Sequence, residues 1–134
     1  MQYALDTASI RASLDALALK HERIARAVAQ VGYPEERRRE HSFATLARIV
    51  VGQQISVSAA TSVNTKLLAS LGGDLTAEAV LRADETTLRS AGLSRQKVEY
   101  MRCLATAEAT DVLSLEALPS LCDDEAIRAI TQIK

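Results

Sequence analysis

Residues 43–64 read FATLARIVVGQQISVSAATSVN, and the fold turns on how this stretch divides. Phe43, Leu46, Ala47 and Val50 recur at i, i+3, i+4 and i+7, which places them on one face of an α-helix. The pattern breaks at Gly52, a residue free to take backbone angles closed to others and so a natural stop. Gln53 and Gln54 follow as long neutral amides between two apolar runs. Ser56 offers the short hydroxyl of an N-cap, and the helix it starts would bury Ala59, Ala60, Val63, Leu67 and Leu68. The expected unit is a tight helix–loop–helix with two hydrogen-bonding side chains at an exposed tip. For the GQQ tripeptide taken by itself, a solvated loop between core helices is the default reading.

Upstream, Asp6 or Thr7 can cap a helix. Ile10, Leu14, Leu17, His21, Ile24, Val28 and Val31 then recur at spacings of four and three as far as Gly32 and Pro34. Periodicity alone reads this as one long amphipathic helix. His21 reads as a packed or half-exposed histidine, since no partner ligands stand at metal spacing. The run EERRRE at 35–40 reads as a solvated linker, with phosphate contact by Arg37, Arg38 or Arg39 as the lesser option because the flanking glutamates cancel much of the field. Residues 1–42 are thus N-terminal helices and a charged linker, and 43–134 are core helices carrying the loop.

Downstream, Gly72-Gly73 is a loop signal. Thr76 caps a short helix through Arg82, and Asp84 caps another through Ala91, with Gly92 as its stop. Ser94 caps the next helix, where Val98, Met101 and Ala105 share a face. Lys97 reads as a surface residue, with phosphate contact as a minor option. Ser114 to Leu121 forms a turn-like helix around Pro119. Asp123 caps the last helix, with Ala126, Ile127, Ile130 and Ile133 turned inward.

The fold class is all-α, one compact multi-helix domain over 1–134. The chain has only two Pro and five Gly, and no period-2 run of β-branched residues long enough for a sheet. A hydrophobic fraction of 48% with 25% charged residues is ordinary for a globular domain and supplies a real core. The net charge of −1 argues mildly against a protein that lives on phosphate contacts, unless basic groups cluster locally. Cys103 and Cys122 match no metal or redox spacing and read as buried free thiols. Reduced thiols, and an N-terminus without a basic region followed by an apolar run, fit a cytoplasmic protein. No apolar stretch is long enough to span a membrane, so no membrane partner is expected.

The string FxxLxxxIVxGQQIS followed by xxAA resembles the helix-hairpin-helix DNA glycosylase superfamily, nearest its 3-methyladenine branch. LRSAGLSRQKVEYMRCLA, residues 88–105, is similar to a second stretch of that family at a compatible distance. The resemblance implies a break in the first helical stretch near Lys20 and His21. It implies hydrolysis of the N-glycosidic bond of alkylated purines in double-stranded DNA, without metal or organic cofactor. It assigns Gln53, Gln54, Ile55 and Ser56 to DNA binding. Gln54 is the candidate wedge entering the base stack, and Gln53 supports the loop from inside. The family's glycine-rich hairpin, base pocket and catalytic aspartate would follow Lys134, so no catalytic residue is assigned here. Asp111, Asp123 and Asp124 read as turn and capping residues, no GxG turn occurs, and Tyr3, Tyr33, Phe43 and Tyr100 are too dispersed for a stacking pocket.

On that resemblance the domain stops short of the hairpin. It would then expose an apolar face on its last helix (Ile127, Ile130) and first (Leu14, Leu17), open to self-association or to a following segment. The alternative function is a non-catalytic helical interaction module or an inactive glycosylase fragment. A helix-turn-helix regulator fares worst, because Ser58, Ala59 and Ala60 stand where base-reading side chains belong.

Overall fold

A computed structural model describes residues 6–133 and divides the chain into two compact units, Met1–Arg39 and Glu40–Lys134. The described residues form eight α-helices and one 3-10 turn, with no strand.

The first unit is a helical pair, α1 (Thr7–Ala18) and α2 (Glu22–Val31). Asp6 caps α1 by accepting the Ser9 N–H at 2.7 Å, a bond that holds its carboxyl below the usual range. The apolar stripe does not run through as one helix. The Lys20 and His21 N–H groups both return to the Leu17 carbonyl, the chain turns, and exposed His21 becomes the N-cap of α2. Folding back lets the two helices pack on each other, which a straight rod could not do. Arg11 lies over the Tyr33 ring, 5.3 Å from its centroid, and Tyr33 donates its hydroxyl proton to Asp15. The charge run is not wholly solvated: Glu36 accepts the Thr7 N–H and hydroxyl, both at 2.9 Å, and pairs with Arg38.

The second unit is built around α7 (Arg95–Ala109), which packs against α3 (Phe43–Gly52), α5 (Ala77–Arg82) and α6 (Glu85–Ser90), while α4 (Val57–Ser70) covers α3 and touches α6. Each of these helices starts where a short polar side chain can accept an orphan N–H: Ser42, Ser56, Thr76, Asp84 and Ser94 all do so. Their apolar faces meet in one core, with Ala47, Val51, Leu67, Val80, Leu88, Met101 and Ala105 essentially removed from solvent. Gly92 is required where α6 ends. Its φ is +105°, and a Cβ there would sit 3.1 Å from a Val63 methyl on α4.

Four expectations are corrected. Ala59 is exposed, because the first turn of α4 extends beyond the core and only Leu67 of that helix is fully buried. Cys122, not Asp123, is the N-cap of α8 (Asp123–Thr131), and its N–H donates to the Glu125 carboxylate at 3.0 Å. Cys122 is also exposed rather than buried, while Cys103 is half-buried; both are free thiols. On α8, Ala126 is half-buried, but Ile127 and Ile130 are 58% and 44% exposed, against the inward reading and in keeping with the uncovered apolar face expected there; Ile133, just past the helix, is half-buried. In the first unit Leu17 is exposed and Leu14 half-buried. No helix among the described residues is long and apolar enough to cross a membrane.

Candidate nucleic-acid interface

The link between α3 and α4 is four residues long, Gln53 to Ser56. Gly52 is the last helical residue of α3 and is not left-handed. Gln53 leaves the helix in an extended conformation (φ −60°, ψ 129°). Gln54 then takes φ +58°, the left-handed region that an L side chain occupies only at a cost. The glycine stop expected at Gly52 is therefore replaced by a reversal at Gln54, two residues on. Ile55 follows, and Ser56 starts α4 by accepting the Ala59 N–H at 3.2 Å. Gln53, Gln54, Ile55 and Ser56 are all exposed, Ile55 at 40%. The two Gln side-chain amides make no hydrogen bond to other described residues, so their donors and acceptors are unused, and Gln53 does not support the loop from inside as expected.

A group far away in sequence holds the turn. Lys97, in the first turn of α7, sends its ammonium to the Val51 carbonyl at 2.6 Å and the Gln53 carbonyl at 2.9 Å. These oxygens lie where α3 ends, and the Gln53 N–H makes only a long 3.4 Å bond to Val50. A cation there satisfies orphan carbonyls and meets the negative end of the helix dipole. Ser94 aims it by accepting the Lys97 backbone N–H at 3.2 Å. Lys97 is half-buried and already committed, so the reading of it as a plain surface residue is corrected. No local pattern could have revealed this, because the partners lie 46 and 44 residues away. Arg102 on the same helix repeats the device, donating to the Ala83 carbonyl at the end of α5 at 2.7 Å.

Beside the turn lies an open groove of about 400 Å³. Gln53, Gln54 and Ile55 line it from the turn, and Ser94, Gln96 and Tyr100 from the start of α7. The Gln96 side-chain amide donates to the Tyr100 hydroxyl. The groove thus joins the two stretches, 43–64 and 88–105, that carry the sequence resemblance. Lys97 lines it too, and no carboxylate or histidine does so among the described residues. Asp111 sits in a left-handed turn after α7, and Asp123 and Asp124 occupy the first turn of α8, all three exposed.

The fold agrees with what comparison finds. The family model described as HhH-GPD superfamily base excision DNA repair protein matches residues 47–133, and the chain belongs to that family. Among solved structures, the chain is similar to a DNA-3-methyladenine glycosidase from Bacillus halodurans at 25% identity and a TM-score of 0.74, over 88% of this chain and 55% of that one. It is also similar to the Schizosaccharomyces pombe 3-methyladenine DNA glycosylase Mag1, solved in complex with abasic DNA, at 25% identity and a TM-score of 0.75. That match covers 90% of this chain and 62% of the other. The chain therefore spans a little over half the length of these relatives. No curated protein sequence matches it.

Proposed function

We propose that the protein acts in base-excision repair as a monofunctional glycosylase that hydrolyses the N-glycosidic bond of alkylated purines of the 3-methyladenine type. The residues described here contribute the duplex-probing part. A glycosylase must take its target base out of the stack, which costs a few kcal/mol, less for a damaged base. Alkylation leaves the base positively charged and a good leaving group, so the demand on the protein falls mainly on extrusion and on a carboxylate that stabilises the sugar cation. Gln54 at the tip of the turn is the wedge that enters from the minor groove and hydrogen-bonds the orphaned base. Gln53, Ile55 and Ser56 flank it against the DNA. No residue described here is assigned as that carboxylate, and the chain alone is expected to release no base.

The observation that carries this reading is the exposed turn with Gln54 in a left-handed conformation and both amides unused. Strained backbone kept at an exposed position is a pointer to function. The test is equilibrium binding to a duplex with one abasic analogue against the matching intact duplex. The abasic duplex should bind more tightly, binding should weaken as salt rises, and Gln54→Ala should remove the preference by about tenfold, the equivalent of one good contact. Equal affinity for both duplexes would contradict the reading. Free thiols fit a cytoplasmic setting. A second reading, a non-catalytic interaction module, draws on the uncovered Ile127 and Ile130, through which self-association could occur.

A further inference from the structure

We propose that Lys97 is a positioning residue for Gln54: its ammonium, bridging the Val51 and Gln53 carbonyls, holds the turn in the conformation that presents the wedge. This rests on the reading of Gln54 as the group that fills the gap. Gln53 has left the helix, its own N–H bond to Val50 is long at 3.4 Å, and Gln54 is left-handed. Nothing in the local sequence supplies the glycine that would make such a reversal easy. The carbonyls on either side of Gly52 both point to one cation, at 2.6 and 2.9 Å. Charge-assisted bonds of this kind are roughly twice as strong as neutral ones. The same ammonium also joins the turn to α7, a helix anchored by buried Val98, Met101 and Leu104. The wedge is therefore referenced to the core of the second unit and not only to its neighbours along the chain.

A phosphate contact would use the lysine differently. It would need an ammonium free to point at solvent, whereas this one already has two carbonyl partners. The two roles predict different couplings. A positioning lysine matters only while there is a wedge to position. A phosphate-binding lysine matters whatever residue stands at position 54.

The test is a double-mutant cycle on the full chain, over Lys97→Met and Gln54→Ala, read as the ratio of affinities for an abasic-analogue duplex and the intact duplex. Lys97→Met should lower that ratio by about fivefold to tenfold, add nothing further in the Gln54→Ala background, and be rescued largely by Lys97→Arg. In the free protein the amide order parameter of Gln54 should fall from the rigid range, about 0.85, to below about 0.6 in Lys97→Met, while those of Met101 and Leu104 hold. Against a wild type that prefers the abasic duplex, an unchanged ratio or an equal loss in the Gln54→Ala background overturns the proposal. If the wild type shows no such preference, the functional reading has failed. The order parameter then still decides whether Lys97 holds the turn, and no change there overturns that as well.

Discussion

Replacing Gln54 by glycine separates the backbone of the turn from its side chain. Gln54 sits at φ +58°, where an L residue pays about 1–2 kcal/mol that glycine does not. Glycine also frees the unfolded chain, which costs about 0.4–1 kcal/mol of stability. The Gln54 side chain is exposed and makes no hydrogen bond to other described residues, so its removal subtracts little. The Lys97 bonds go to main-chain oxygens of Val51 and Gln53 and survive the change. The balance favours Gln54→Gly by about 0.5–1 kcal/mol, or about 2–6 °C in Tm for a domain of this size. Gln54→Ala keeps the left-handed strain and should unfold close to the wild type. Both variants should lose the preference for abasic DNA. The assay is urea and thermal unfolding of the three proteins, paired with the two-duplex binding measurement. Gln54→Gly unfolding earlier than Gln54→Ala would mean that the residue is not left-handed or that its side chain is packed.

Other consequences are simpler to state. Gly92→Ala must place a methyl at a φ of +105° and 3.1 Å from Val63, so it should destabilise the second unit by about 1–3 kcal/mol, seen as an earlier urea midpoint. Glu108 at the end of α7 has its carboxyl pushed up, first by burial and then by the nearby Glu78, and one of its oxygens is buried without a partner among the described residues. A carboxyl raised in the folded state favours folding while protonated and opposes it once ionised. Its contribution is therefore present below pH 4.5, the ordinary value, and lost as pH rises through the folded one. Glu108→Gln should stabilise the protein at pH 7 and flatten that part of the stability–pH curve; an unchanged curve would contradict the assignment.

What was legible in the sequence was local. Ser56, Thr76, Asp84 and Ser94 announce their helices because an N-cap acts over three residues, and all four accept the expected N–H. Gly92 was readable for the same reason. The break at Lys20 was not, since no Gly or Pro marks it and the apolar stripe runs on; only the family resemblance indicated it. Ile127 and Ile130 show another limit. A 3.6-residue period tells which side chains share a face of α8, not whether anything covers that face. The candidate site was half legible. Gln53 and Gln54 stand where the pattern breaks, as expected, but the left-handed residue is Gln54 and not Gly52. Lys97, the group that fixes the turn, reaches its partners only after the chain has folded back on itself.

The proposed wedge at position 54 would enter the space an extruded nucleotide leaves. A photocrosslinking amino acid placed at position 54, irradiated with a duplex holding one abasic analogue, tests it most directly. Crosslinks should be confined to the base opposite the abasic position and its immediate neighbours, and be lost when an intact duplex is used. Crosslinks spread evenly along the duplex, or equal yields from both duplexes, would contradict it.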